Sequence, residues 1–407
     1  MNYTDYINKD IQCDCGRLHS SHIKEIILKD NAIKELTAII EKNNYKNIYI
    51  AADENTWKAA GKLTLKSIEL AARGMDKRRE IKITKCIFKD NILLADETSI
   101  AMLLVHAPSD CDIVIGIGTG TINDLCKLIS KRMKTHYAIV VTAPSMDGFA
   151  SGRSMVTLNC IKTMIATKQP DYIICDLKIL CKTPKHMIAA GAAVILGNYV
   201  TLAEWAIGEL INDEPFCLEA EKLIRKSIEA AEDVIQTHIN DETKDFLQDK
   251  RTIKSIMESL IMIGTAKYFV DDLNAVPESV QCLSSYWEML FMQEEKQTIP
   301  YGTSIAVSTV KLIKLYERMK KSQPDLDTVK AQRNSESEVK KRLIRFEENR
   351  DEAVSIINML PPSDYIKDLL KAIDMPYKLK HIGISKEIFK DSIEYVNKAY
   401  LNTKSML

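Results

Sequence analysis

The sequence predicts an α/β domain built on a parallel sheet over residues 1–183, followed by an all-helical domain over 184–407. Two observations predict this. Up to about residue 144, apolar strand-like runs alternate with helical runs, as in βαβ units whose crossover helices cover a parallel sheet. Beyond about residue 184 the apolar residues recur every three and four positions, as in amphipathic helices, and no strand-like alternation returns.

In order, KNIYIAAD (46–53) reads as a strand and TWKAAGKLTLKSIELAARG (56–74) as a helix. IKITKCIF (81–88) is a strand and ETSIAMLLVHA (97–107) a helix. DIVIGIG (112–118) is a strand, TINDLCKLISKRM (121–133) a helix, and HYAIVVTAP (136–144) a strand again. In the second half, residues 214–236, 253–270 and 304–319 carry the helical spacing. The charge-rich segment 335–353 reads as a solvated helix face.

Lys plus Arg and Asp plus Glu balance at 56 each, so the basic excess of a nucleic-acid binder is absent and that class is set aside. No uninterrupted run of about 18 or more apolar residues predicts a membrane span. The N-terminus lacks the basic-then-apolar order of a signal peptide, so a cytoplasmic protein is expected. Its ten cysteines are then thiols. Cys13 and Cys15 are the only close pair, and with no second pair near them in the sequence they make a poor zinc site.

Ligands on such sheets bind beyond the carboxyl ends of the strands. Asp53, the stretch Gly116 to Thr121, and the stretch Thr142 to Asp147 all stand at such ends. A strand that turns through Gly116, Gly118 and Gly120 into a helix suits a phosphate, because glycines admit close backbone approach and the helix N-terminus adds N–H groups. The spacing is not that of the usual dinucleotide fingerprint. A tight strand–helix turn without ligand is the alternative. Asp53 suits ribose hydroxyls, or else a helix N-terminal cap. In TAPSMDGFASGRS (142–154), Thr142, Ser145 and Ser151 are candidate hydrogen-bonding groups and Asp147 the carboxylate.

The stretches CDCGRLH (13–19), DENTWKAAGK (53–62), GTGTINDL (118–125), TAPSMDGFAS (142–151), MIAAG (187–191) and SSYWEM (284–289) together resemble the sn-glycerol-1-phosphate dehydrogenases, of the iron-containing alcohol dehydrogenase and dehydroquinate synthase-like superfamily. The resemblance implies a Rossmann-like domain, a helical domain, an active site in the cleft between them, and a homodimer. It implies reduction of dihydroxyacetone phosphate by NADH or NADPH with a bound zinc or nickel ion. On the cofactor side it assigns Asp53 to the adenosine ribose, and Gly118, Thr119, Gly120 and Thr121, with Asp124 beyond them, to the pyrophosphate turn. Thr142, Ser145 and Ser151 fall on the nicotinamide side, and Asp147 on substrate. Asp53 leans towards NAD over NADP.

The metal side departs from the family. One Asp and two His ligands are expected, and Val194, Gln281 (followed by Cys282) and Tyr301 stand at those positions. A substrate-contacting His is replaced by Ser285. His238 and His381 bracket a stretch with no histidine at all, so no shift of alignment restores the set. No metal is therefore expected, and the alkoxide that a metal would stabilise needs another partner. Three readings are open. The first, ranked ahead, is an NAD(P)-dependent oxidoreductase acting on a small hydroxy or keto compound without metal, in which Tyr301 or Tyr286 gives the proton and Asp147 and Ser285 position the substrate. The second is a nucleotide-binding partner or regulatory protein without catalysis. The third is non-reductive chemistry that uses the nicotinamide transiently.

Overall fold

The computed structural model describes residues 5–74, 81–89, 92–240, 246–270, 279–321 and 338–401. Residues 335–337 of the charge-rich segment lie outside these. The chain divides into two units. The first comprises Met1–Ile11, Leu18–Gly191 and Thr243–Tyr268, and the second Gln12–Arg17, Ala192–Glu242 and Phe269–Leu407.

Strands β1 (Asp10–Gln12) and β2 (Leu18–Ser20) form a two-stranded sheet. The main sheet is made of β3 (Glu25–Lys29), β4 (Asn47–Asp53), β5 (Lys82–Phe88), β6 (Ile113–Gly118) and β7 (His136–Val141), then β10 (Tyr172–Asp176). Between the last two, β8 (Arg153–Leu158) and β9 (Ile161–Ala166) make an antiparallel hairpin. The order across the main sheet is β3-β10-β7-β6-β4-β5, and every pairing is parallel. All carboxyl ends therefore share one edge.

Both faces of the sheet are covered, as a parallel sheet requires. Ile48, Ile50 and Ala52 of β4 share one apolar cluster with Ile113, Ile115 and Ile117 of β6 and with Ala138 and Val140 of β7. Tyr49, Val114, Tyr137 and Ile139, at the alternate positions, are buried as well. The expected strands and helices of this half all form. The helix expected over 56–74 is split, with a wide five-residue turn at Trp57–Gly61 before the regular helix Lys62–Gly74. Strands β3 and β10 and the β8–β9 hairpin were not among the expected elements. EIILK and YIICD are too short for periodicity to tell a buried strand from a buried helical turn.

The second unit contains only helices among its described elements. Leu218–Asn240, Ser279–Gln293 and Tyr301–Met319 lie wholly in it. The charge-rich segment forms Glu338–Glu348 and Arg350–Asn358, which bury Phe346, Ala353 and Ile357; Lys341, Arg345, Glu348, Asp351 and Glu352 are exposed, while Glu347 is turned inward and pairs with Arg350 at 2.7 Å. One described helix, Lys185–Asn212, is long and apolar enough to cross a membrane, with mean hydropathy 1.5 over its best window. Of that window 83% is buried within the protein, as for a core helix.

Candidate nucleotide site

The shared carboxyl edge of the sheet opens into a cavity of about 830 Å³ in the first unit. That is the size of an ordinary small-molecule site. Asp53 at the end of β4, Thr119 and Thr121 after β6, Thr142 after β7 and Asp176 at the end of β10 all line it. The expected convergence is thus present in space. Asn31, Lys178 and Lys182, which were not singled out in the sequence, line it too, as does Met187 of the MIAAG stretch. Asp176 carries the signature that singled out Asp53, an Asp closing an apolar strand, and YIICD could have been read that way.

Both strand-ending aspartates are helix caps. Asp53 Oδ1 accepts from the N–H groups of Asn55 at 2.8 Å and Thr56 at 2.9 Å, and the Thr56 hydroxyl accepts from the Asp53 N–H to complete a capping box. The capping role weighed for Asp53 is therefore real. Both bonds fall on one oxygen, so capping leaves Oδ2 for a ligand.

Helix Gly120–Met133 begins differently. Its N-cap, Thr119, makes no side-chain cap, and no acidic residue stands in its first turn. Its leading N–H groups and the positive end of its dipole therefore have no internal counter-charge. The three glycines of this strand–helix turn do different work. A Cβ on Gly118 would lie 2.6 Å from the Ile122 side chain, and one on Gly116 would lie 3.1 Å from Cys126 Sγ, so both permit the helix to sit tight on β6. A Cβ on Gly120 would meet only Met146, at 3.6 Å. Its glycine is not explained by packing.

The loop after β7 is fixed from several sides. Ser145 and Thr119 share a hydrogen bond between hydroxyls at 2.5 Å. Thr183 donates to the Thr142 carbonyl at 2.8 Å. Lys127 is fully buried, and its Nζ donates to the Gly148 carbonyl and to Ser151 Oγ, both at 3.1 Å, and to the Arg153 carbonyl. It also pairs with Asp124 at 3.2 Å. Of the expected site residues in this unit, Gly118, Gly120, Asp124, Ser145, Asp147 and Ser151 are not among those lining the cavity. The polar atoms of Asp124 and Ser151 serve this buried lysine instead, because Asp124 stands one helical turn before it. Two glycines complete the setting. A Cβ on Gly191 would lie 1.9 Å from the Pro144 carbonyl oxygen, and one on Gly264 would lie 2.5 Å from that of Asp147.

Asp147 is buried and pairs with Lys267 at 2.8 Å. Sequence reasoning missed Lys267. Its signal was a lone cation near the end of the apolar run LIMIGTAKYFV, where only a paired charge would be tolerated.

The remaining candidates lie in the second unit. Tyr286 packs against Tyr395 with ring centroids 4.6 Å apart, and burial raises its phenol pKa. Ser285 is half-buried, and its neighbour Ser284 is the buried one, sharing a hydrogen bond with Ser304. Tyr301 opens helix Tyr301–Met319 and is half-buried. Val194 is 3% exposed, and its carbonyl accepts from the Asn198 amide at 2.9 Å. Val194, Gln281 and Tyr301 offer neither carboxylate nor imidazole. This donor set does not suit a zinc or nickel ion.

The chain is similar to several known proteins. The family description "Iron-containing alcohol dehydrogenase" matches residues 27–184. Glycerol-1-phosphate dehydrogenase (NAD(P)+) of Geobacillus stearothermophilus is 27% identical over 400 residues, which cover 97% of this chain and 94% of that protein. The enzyme of the same name from Bacillus subtilis strain 168 is 26% identical over 381 residues, covering 92% and 88%. Among solved structures, an archaeal alcohol dehydrogenase from a Red Sea brine pool superposes with a TM-score of 0.66 at 13% identity, covering 96% of this chain and 94% of that one. NADH-dependent butanol dehydrogenase A of Thermotoga maritima does so with a TM-score of 0.63 at 14% identity, covering 94% and 90%. The chain thus resembles the glycerol-1-phosphate dehydrogenases along nearly its whole length, and its fold is that of the iron-containing alcohol dehydrogenases.

Proposed function

We propose that this chain, an NAD(P)-dependent oxidoreductase of the alcohol dehydrogenase kind, transfers hydride to or from a small hydroxy or keto compound without the zinc or nickel ion of its relatives. The observation that carries nucleotide binding is the uncapped N-terminus of helix Gly120–Met133, which begins beside Thr119 and Thr121 in the wall of the cavity. An anion there meets N–H groups that have no internal cap, and Gly120 keeps the approach clear. Asp53 Oδ2 takes the ribose hydroxyls. Thr142 and Ser145 face the nicotinamide end, and Gly118 holds the turn in shape. Lys127 carries the assigned Asp124 and Ser151 into a supporting role, holding the loop rather than touching the cofactor.

The nicotinamide, when bound, supplies or accepts the hydride. The ion pair Asp147–Lys267 supports a role for Asp147 in positioning substrate, because its paired cation suits a phosphate or a developing alkoxide. For the proton, Tyr301, whose hydroxyl stands at a position where the relatives' metal ligand is expected, or Tyr286 is the donor, with Ser285 as a hydrogen-bonding group.

The test measures NADH and NADPH binding by fluorescence, then their consumption with dihydroxyacetone phosphate on metal-stripped protein, with and without added zinc or nickel. Binding followed by metal-independent turnover is expected. Turnover only with added metal would refute the metal-free mechanism. Binding without turnover on a panel of small ketones and alcohols would favour the reading as a nucleotide-binding protein without catalysis, which the altered donor set also supports.

A further inference from the structure

The N-terminal pair Cys13 and Cys15 has a third cysteine beside it. Cys217, 204 residues further on, stands with its Sγ 3.7 Å from that of Cys13. The Sγ atoms of all three lie within 4.8 Å of one another, and all three belong to the second unit. All ten cysteines of the chain are thiols. The 3.7 Å separation is far beyond a disulfide bond at about 2.05 Å. It matches the edge of a tetrahedron of sulfurs around zinc, about 3.8 Å when each Zn–S bond is about 2.3 Å.

The local backbone is shaped for this. The turn Cys13–Arg17 is closed by Cys13 N–H donating to the Arg17 carbonyl and Gly16 N–H donating to the Cys13 carbonyl, each at 3.0 Å. Gly16 has φ +81°, a left-handed conformation that a side chain would strain. This lets two thiols two residues apart turn to the same side. Cys217 precedes helix Leu218–Asn240, and the Ala220 N–H donates to its sulfur at 3.5 Å.

We propose that Cys13, Cys15 and Cys217 bind one zinc ion as thiolates, in a structural site that ties the N-terminal turn to the head of helix Leu218–Asn240. Thiolate donors select zinc among the common divalent ions, and the cation replaces the protons of three crowded thiols. The sequence of the same hairpin offers a further donor type in His19, and a Cys3His set is a usual structural zinc combination. None of these three cysteines lines the nucleotide cavity or stands at position 194, 281 or 301.

The experiment uses the full chain prepared under reducing conditions without chelator. Metal content is measured by elemental analysis and native mass spectrometry, and the apo chain is titrated with cobalt(II). One zinc per chain is expected, together with a near-ultraviolet sulfur-to-cobalt charge-transfer band. That band reports thiolate ligation in the unaltered protein, whether or not a variant folds. Cys217→Ser and Cys15→Ser should lose the band and weaken zinc binding by more than the roughly 10–100-fold of an outer-shell change, while NADH binding persists. Absence of both zinc and the band in the unaltered chain would overturn the proposal. So would a metal-free chain carrying a Cys13–Cys217 disulfide, or a Cys217→Ser chain with zinc and band intact.

Discussion

Gly118 and Gly120 are two residues apart in one turn, and the structure assigns them opposite kinds of work. Replacing Gly118 by Ala brings a methyl to 2.6 Å from Ile122 on the helix that packs over β6. An intrusion of that size into a packed interior costs about 1–3 kcal/mol. For a domain of about 150–250 residues, it lowers the melting temperature by roughly 2–4 °C per kcal/mol. Replacing Gly120 by Val meets nothing closer than Met146 at 3.6 Å from the first added carbon, so folding should be nearly unaffected. On the proposed reading, the added methyls crowd an anion approaching the uncapped N–H groups. Each charge-assisted hydrogen bond lost to an anion there is worth about 1.5–3 kcal/mol, a roughly 10–100-fold weakening. The assay pairs thermal melting with NADH titration for both variants. Gly118→Ala should lose stability and keep most of its affinity after correction for folded fraction, and Gly120→Val the reverse. A Gly120→Val chain that binds NADH and NADPH as the unaltered chain does would refute the assignment of this turn to the pyrophosphate.

Three further predictions concern the two units separately. Glu204 is buried in the second unit, where one oxygen accepts from Ser279 and from Tyr316; burial raises its pKa to about 7 despite these bonds. The folded state holds this proton to higher pH than the unfolded chain, which releases it near 4.5, so stability should fall by up to ~3 kcal/mol as pH rises from about 4.5 to about 7, then level off. Glu204→Gln should remove that slope, read from the fluorescence of the buried Trp205 and Trp287 during urea unfolding, and an unchanged slope would exonerate Glu204. Lys127→Met leaves a carboxylate and two carbonyls without their cation, which should cost about 3–5 kcal/mol, seen in melting; a neutral effect would mean that water replaces the lysine. Tyr301→Phe should lower kcat and leave NADH affinity intact, and unaltered turnover would remove Tyr301 from the mechanism.

The sheet and its edge were legible because alternation and strand-ending polar residues are local signals. Asp53, Thr119, Thr121 and Thr142 meet at one cavity because parallel strands end together, which the βαβ pattern already implies. What stayed hidden was decided by partners far along the chain. Asp124 reads as a polar residue of a phosphate turn until Lys127 is seen folded inward beneath it. Lys267 finds Asp147 across 120 residues, and Cys217 finds Cys13 across 204. A third thiol so distant could not enter a judgement based on the spacing of Cys13 and Cys15. The altered metal positions were legible for the opposite reason: a valine has no donor atom, and a glutamine and a tyrosine are poor substitutes for imidazole, whatever the fold does.

The backs of Pro144 and Asp147 rest on two helices at points where only a hydrogen atom intervenes, at Gly191 and Gly264. That leaves the segment carrying Ser145 and Asp147 no slack in which to swing. It acts as a fixed anvil rather than a door, and any opening and closing that admits a ligand has to be done by other parts of the chain. New specificity on this scaffold would accordingly come from exchanging the side chains that project from the segment, since lengthening or re-routing its backbone would drive it into one helix or the other.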